Sequence, residues 1–435
     1  SHDRKIRIRA DDSVMDFYKG EPYMIRRSRG YAPLPFMVST PWKGQVIAAG
    51  GELKNTFCIG VDNRFYPSPY VGDLEDLRTV KALKETIGRL ETLLEVQPEV
   101  VVCDLHPKYN STVVAEELGL PVLKVQHHYA HILSCMAEND CEEKVIGVSF
   151  DGTGYGTDGT IWGGEILMAD HQGFTRIGSI EPFVQVGGDV SAKEGWRIAV
   201  SLIWQNTGNM EKTLDTVQKL GLCTEQEAKV LVTMAQRKLN AVTSTSAGRL
   251  FDGVSAILGI RRASTFEGEA STALEFAAEA WRAQEIQKKN VDIRVKSLKM
   301  WMTEKKDIPE NPGTSASSTE ERKFVLNTGD IVAHLVQEKL AGEDSGKLAY
   351  EFHRALAEQI LAACEAAEQE TGIKKVALSG GVFQNRLLLE LVDDGLAERG
   401  FEVLKHSLIP PNDGGIALGQ AAYGMNWLQK MEKEI

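Results

Sequence analysis

The stretch "VQHHYAHILSCMAEND", Val125 to Asp140, holds three of the chain's nine histidines within five positions. If an apolar strand ends near Gln126 and an amphipathic helix opens there, His127 and His131 stand one turn apart on one face. Two imidazoles so placed can grip one metal ion. The same spacing also arises in pairs of partly buried, hydrogen-bonded histidines near a helix start, so other residues must decide. In "SFDGTGYGTDGTIWGGE" an apolar strand, Val145 to Phe150, delivers Asp151 at its end; in "PPNDGGIALGQAA" Asp413 sits before a glycine pair and a small-residue helix. Asp413 by itself reads most simply as the cap of that helix. With His127, His131 and Asp151 it would instead complete a mixed nitrogen and oxygen metal site with room for water or substrate. That donor set favours Fe(II) or Zn(II), admits Mn(II) or Mg(II), and is unlike a calcium site. His127, His131 and Asp151 are therefore candidate catalytic residues as well as ligands.

Glycine loops form a second signal. Gly152, Thr153, Gly154 and Gly156 follow Asp151, and glycines there let the backbone approach a phosphate with N–H groups turned inward. A glycine-rich hairpin with no such purpose would look the same. In "VALSGGVFQNRLL" a buried strand runs into Gly380 and Gly381, and a helix begins near Asn385, so the glycine amides and the helix start offer an anion site. Two strand-terminal glycine loops in separate lobes imply a nucleotide clamped between them. Lys193, beside Glu194 and Arg197 in "VGGDVSAKEGWR", and Asp252 on an apolar helical face in "SAGRLFDGVSA" are further nucleotide-binding candidates. A capping or solvated role for Asp252 competes evenly, and Glu267 and Glu269 in "FEGEAS" read as a solvated turn.

The elements that must hold these residues alternate strand and helix, the grammar of an α/β protein. Residues 1–44 show short β-like runs and a basic cluster at Arg26, Arg27 and Arg29, as of a segment that packed on something else. A first α/β lobe is expected over 45–185, with a hairpin punctuated by Gly50 and Gly51 and a helix from about Leu74 to Leu94. A largely helical insertion is expected over 186–345, with a polar exposed loop at 303–322, and a second α/β lobe over 346–435. The opening "SHDRK" lacks Met and reads as a tag scar or a cut inside a longer protein.

The 435 residues, 43% hydrophobic and 25% charged, suffice for two or three packed domains. A net charge of −12 argues against nonspecific binding to nucleic acid or anionic membranes. No apolar run approaches the length of a membrane span. The six cysteines, Cys58, Cys103, Cys135, Cys141, Cys223 and Cys364, have no paired short spacing, which fits reduced, mostly buried thiols in a cytoplasmic protein.

"VQHHYAHILSCMAEN", "GVSFDGTGYGTDGTIWGGE", "TSAGRLFDGVSAILG", "ALSGGVFQNRLL" and "PPNDGGIALGQA", with "GGELKNTFC", "SPYVGDLED" and "CDLHPKYNST", resemble in order the C-terminal part of the hydrogenase-maturation carbamoyltransferases, the HypF family. The resemblance implies a two-lobed actin/Hsp70/sugar-kinase-like (ASKHA) α/β fold with a helical insertion. It implies His127, His131 and Asp413 as metal ligands, with Asp151 the least certain of the set. Residues 1–44 then look like the tail of a preceding YrdC-like domain. The implied reaction passes a carbamoyl group from carbamoyl-adenylate, made from ATP and carbamoyl phosphate in the preceding parts, to the C-terminal cysteine thiolate of a partner protein, HypE. That thiocarboxamide is the precursor of the cyanide ligands of NiFe hydrogenase. Two other readings compete: a threonylcarbamoyl transferase acting on tRNA, which the acidic balance opposes, and a non-catalytic actin-like nucleotide-binding module, which has no use for the histidine pair.

Overall fold

The computed structural model describes residues 8–289 and 324–434, together with residues 3 and 6. The expected exposed loop at 303–322 lies outside them. From the N-terminus, a hairpin of β1 (Val14–Tyr18) and β2 (Glu21–Arg26) precedes β3 (Phe36–Met37), β4 (Gln45–Ala48), β5 (Cys58–Val61), β6 (Arg64–Pro67), α1 (Leu77–Leu94), β7 (Val100–Asp104), α2 (Asn110–Glu117) and β8 (Val122–Val125). Helix α3 (His127–Glu138) leads to β9 (Val145–Tyr155), β10 (Ile161–Asp170), β11 (Gly173–Ile180) and β12 (Phe183–Val186). Then come α4 (Gly195–Thr207), α5 (Met210–Lys219), α6 (Glu225–Gln236), β13 (Ala241–Ser244), α7 (Ala247–Ile257) and α8 (Glu269–Lys289). The chain closes with β14 (Phe324–Leu326), α9 (Thr328–Leu340), α10 (Ser345–Thr371), β15 (Lys375–Ser379), α11 (Arg386–Glu398), β16 (Glu402–Leu404) and α12 (Ile416–Glu434).

Two mixed sheets organise these elements. The first runs β3-β6-β5-β4-β7-β8 and the second β12-β13-β10-β9-β15-β16, with β11 on β10 and β14 on β11. In the first sheet the apolar runs of β4 and β7 are buried on both faces, as strands covered by helices on either side must be. Val46, Ala48, Val100 and Val102 face one core, shared with α3 and α12, whereas Ile47, Val101 and Cys103 face the core under α1 and α2. Asp76 caps α1 by accepting from the Arg78 amide, which sets its start at Leu77, three residues beyond the expected Leu74.

The sheets do not divide where the sequence placed the lobe boundary. Strands β9 to β12, expected in the lobe over 45–185, belong to the second sheet, where β9 pairs in parallel with β15. The region over 186–345 is mainly helical, but β13 and β14 within it join that same sheet. The terminal helix α12, expected in the lobe over 346–435, returns to pack on β4 and β7 of the first sheet. Residues 1–44, expected as the tail of a preceding YrdC-like domain, pack on this chain: β3 pairs with β6, and the hairpin docks on the second half. There the Tyr18 hydroxyl donates to Asp393 at 2.8 Å, the Tyr23 hydroxyl to the Phe383 carbonyl at 2.8 Å, and Arg386 reaches Asp16 at 2.5 Å. Arg27, from the basic cluster, is buried and donates to the carbonyls of Tyr31 and Leu34. A sequence pattern shows which faces are apolar, but partners this remote along the chain are invisible to it.

Helix α3 is not amphipathic. It is buried from His127 through Ala137, because it lies between the two sheets with α12 against it. That contact is close: a Cβ on Gly419 of α12 would collide with the Ala130 carbonyl oxygen and lie 2.6 Å from the Ser134 amide nitrogen. No helix of the described residues is long and apolar enough to cross a membrane. We expect Gly419→Ala to force α12 away from α3 and to destabilise the protein by about 1–3 kcal/mol in urea unfolding; an unchanged midpoint would contradict this packing.

Candidate metal centre

The first turn of α3 opens at Gln126, whose side-chain oxygen accepts from the Tyr129 amide and so caps the helix. This holds His127 and His131 on the face turned toward the middle of β9 and the 3-10 turn at Asp413–Gly415. Asp151 comes from within β9, not from its end: the strand continues to Tyr155 as half of a long hairpin with β10. Its Oδ1 accepts from the Gly381 amide at 2.9 Å, which turns Oδ2 toward the histidines. Asp413 follows Asn412, and it is the Asn412 side chain that caps the turn, by accepting from the Gly414 amide at 2.9 Å. The carboxylate of Asp413 is thereby released from the capping role and faces the imidazoles.

His127, His131, Asp151 and Asp413 each present one ligand atom, all within 4.8 Å of one another. His127 Nε2 lies 3.3 Å from Asp151 Oδ2 and 3.5 Å from Asp413 Oδ1. His131 Nε2 lies 3.8 and 3.6 Å from the same two oxygens, too far for hydrogen bonds, and is buried without a partner. A buried imidazole nitrogen left unbonded and aimed at two carboxylates fits a cation between them. Behind it, His127 Nδ1 meets Asp104 Oδ2 at 2.7 Å, and Asp104 is fully buried at the end of β7. A carboxylate on the far ring nitrogen fixes the imidazole with Nε2 toward the site.

Electrostatics describe the same centre. Burial by itself would lower the pKa of His127, but the carboxylates of Asp104 and Asp413 and hydrogen bonds to Asp104 and Asp151 raise it well above the ordinary imidazole value. Burial would raise that of Asp151, yet the His127 hydrogen bond and the charges of His131 and His127 hold it well below the usual carboxylate range. Asp413 is lowered too, by His127 against burial. His128, the third histidine, is kept neutral by burial and then by the charge of His127. A proton on His127 thus compensates the two anions that a divalent ion would otherwise join.

Of the expected nucleotide residues, some adjoin this centre. A Cβ on Gly381 would sit 2.8 Å from Asp151 Oδ1, and one on Gly380, where φ is +99°, would strike the Phe150 carbonyl. Gly152 is open on its own side, while Thr153 is exposed with its hydroxyl on the Gly152 carbonyl. The start of α7 lies over Gly152, with the Ser246 hydroxyl on its carbonyl. Gly154 and Gly156 have packing reasons: a Cβ on Gly154 would meet His127 Cδ2 at 2.9 Å, and one on Gly156 would meet the Trp162 ring. Asp252 is buried and paired with Arg249 at 2.7 Å, burial raising its pKa against that arginine. Asn385 caps α11 by accepting from Leu388 and donates its amide to His353 Nε2 at 2.8 Å, so its side chain is engaged in the scaffold. Lys193 is exposed.

With the geometry in place, comparison with known proteins is decisive. A family model described as "HypF Kae1-like domain" matches residues 42–138, and one described as "Carbamoyltransferase, Kae1-like Domain, second subdomain" matches residues 147–420. A protein of Cupriavidus necator named "Carbamoyltransferase HypF homolog" is 35% identical over 382 residues, covering 86% of this chain and 90% of that protein. The chain belongs to the HypF family. The "Carbamoyltransferase HypF" of Synechocystis is 36% identical over 433 residues, 96% of this chain and 52% of its own length, so the chain spans about half of that relative. A solved structure, full-length HypF in a phosphate- and nucleotide-bound form, superposes with a TM-score of 0.85 at 35% identity over 98% of this chain and 52% of its own. HypF from T. kodakarensis gives 0.81 at 28% identity over 97% of this chain and 53% of its own. The two-lobed ASKHA-type α/β fold expected from the sequence is the fold of these HypF proteins. The two family models part between 138 and 147, close to where the sheets divide.

Two contributors to the centre were missed in the sequence. Asp104 ends a buried strand in "VVVCDLHP", and a carboxylate at such a strand end was a usable signal. Lys54 in "GGELKN" was not: its ammonium pairs with Glu267 of the loop before α8, a residue read as part of a solvated turn. Burial would lower the Lys54 pKa, but Glu267, Asp413 and Asp151 together raise it.

The double variant His127→Ala/His131→Ala should reduce bound Mn(II) or Zn(II) from about one ion per chain to none, by metal analysis after dialysis. Because the His127 pKa is raised on folding, its ionic contribution to the metal-free protein is complete below the unfolded value of 6.5 and is lost as pH rises through the folded value. A metal must displace that proton. Calorimetry in two buffers near neutral pH should therefore show release of about one proton per ion and an affinity that rises with pH.

Proposed function

We propose that this chain transfers a carbamoyl group from carbamoyl-adenylate to the C-terminal cysteine thiolate of HypE, in making the cyanide ligands of NiFe hydrogenase. The observation that carries the reading is the convergence of His127, His131, Asp151 and Asp413 on one buried point beside the Gly380–Gly381 turn, in a chain of the HypF family. His127, His131, Asp151 and Asp413 would hold the divalent ion, Fe(II) or Zn(II) before Mn(II) or Mg(II). When bound, that ion polarises a carbonyl or phosphoryl oxygen.

The protein's own groups divide the remaining work. The acceptor sulfur attacks the carbamoyl carbon as a thiolate, the new S–C bond forms, and the C–O bond to phosphate breaks to release AMP. Charge therefore builds on the phosphate oxygens. The Lys54 ammonium, in the field of the same carboxylates, is the cation suited to meet it. Gly152, with nothing within 4 Å of where a side chain would stand, offers open backbone at which an adenylate can lie. No cysteine of this chain serves as a nucleophile: all six are free thiols, five of them buried, and burial raises the pKa of each. The nucleotide-bound HypF relative supports a nucleotide here. The same reading sets the protein in the cytoplasm, with carbamoyl-adenylate supplied by a preceding YrdC-like domain.

Intact-mass analysis of HypE, after incubation with this chain and pre-formed carbamoyl-adenylate, should show a gain of one carbamoyl group on the C-terminal cysteine. With His127→Ala/His131→Ala the gain should vanish. An unmodified HypE in both reactions, when the metal-loaded chain binds the adenylate, would overturn the assignment.

A further inference from the structure

The end of α3 carries a carboxylate that the reaction does not use. Glu138 lies two turns beyond His131 with its side chain 6% exposed. Its Oε1 accepts three consecutive backbone amides, Ser407 at 3.0 Å, Leu408 at 2.6 Å and Ile409 at 3.0 Å. Its Oε2 meets His406 Nδ1 at 2.7 Å. On the far side of that ring, Nε2 lies 2.8 Å from the Ser379 hydroxyl. The order serine, histidine, carboxylate has the spacing of a nucleophilic triad, but Ser379 is fully buried and His406 is 4% exposed, so no substrate carbonyl reaches the hydroxyl.

What the group does reach is two of the three segments that bring ligands to the metal centre, and the turn that orients the ligand on the third. Helix α3 bears His127 and His131. The loop hung on Glu138, residues 406–412, runs directly into Asp413, and the Pro411 carbonyl in it accepts from the Gly380 amide at 3.0 Å. Ser379 begins the turn whose Gly381 amide orients Asp151. Four charge-assisted bonds to one carboxylate hold this arrangement more firmly than neutral bonds would.

We propose that Glu138 is a positioning residue for the metal centre, setting Asp413 and, through His406 and Ser379, Asp151 against the histidines of its own helix. The proposal rests on the four-residue centre being a metal site. Glu138→Gln keeps the size and an acceptor for the amides, but it removes the charge and turns an N–H toward His406.

The test is Mn(II) binding by calorimetry and the EPR line shape of bound Mn(II), on the full chain as wild type and Glu138→Gln, with metal-free thermal unfolding in parallel. The expected result is affinity weakened by about tenfold or more, with an altered line shape. Wild-type affinity and line shape in the variant, whatever its unfolding midpoint, would overturn the proposal and leave a structural carboxylate. Failure of the wild type to bind Mn(II) or Zn(II) would overturn the metal reading and this one with it. If Glu138→Gln does not fold, His406→Gln cuts the link to Ser379 alone; weaker binding with a changed line shape supports the proposal, and unchanged binding overturns it.

Discussion

Asp151 and Asp413 bring carboxylate oxygens to one buried point, and the surrounding structure answers the repulsion between them. Two like charges within 4.8 Å oppose each other by roughly 3–4 kcal/mol even at an effective dielectric near 20. In the metal-free protein the imidazolium of His127 meets that cost, held between Asp104 and Asp151. Such a balance works only in a site shielded from water. Helix α3 must therefore be buried around its whole circumference, and the glycine at 419 exists so that α12 can lie directly against it. Burial, charge and close packing are here one requirement seen three ways.

The same requirement explains the glycine-rich strand. β9 passes so near the histidines that a side chain at 154 would displace them, and Gly380 gives its φ of +99° and its missing Cβ to let β15 turn past Phe150. Glycines that look like a phosphate loop thus divide into two groups. Gly154 and Gly156 make room for the imidazoles and Trp162, whereas Gly152 keeps an open side and Gly381 gives its amide to Asp151.

Much of this was legible in the residues. The histidine pair one turn apart and the aspartates beside glycines named the four residues that converge; helical periodicity fixes where the histidines point, although Asp151 proved to lie within a strand and not at its end. The strands and helices near the site were legible for the same reason. The division between halves was not, since β9 and β15 pair across more than two hundred intervening positions and no local pattern records which sheet a strand joins. The partner of Asn385 within the scaffold, His353, was not legible either, because it lies on a face that only the folded chain brings round; Asp252 pairs with Arg249 of its own helix. Lys54 and Glu267 were unremarkable in their own segments and gain meaning only where the two halves face each other.

Among the described residues the backbone passes between the halves three times: from the N-terminal hairpin to β3, after α3 on its way to β9, and between β16 and α12, which returns to the first sheet. A body joined to another by one strand can swivel in any direction, and each further tie removes some of that freedom. The side chains at the centre stand beside two of these ties, His127 and His131 before the second passage and Asp413 at the third. The ligand set therefore sits where the two halves are tied together, the part of the molecule that any movement of one half against the other would disturb least.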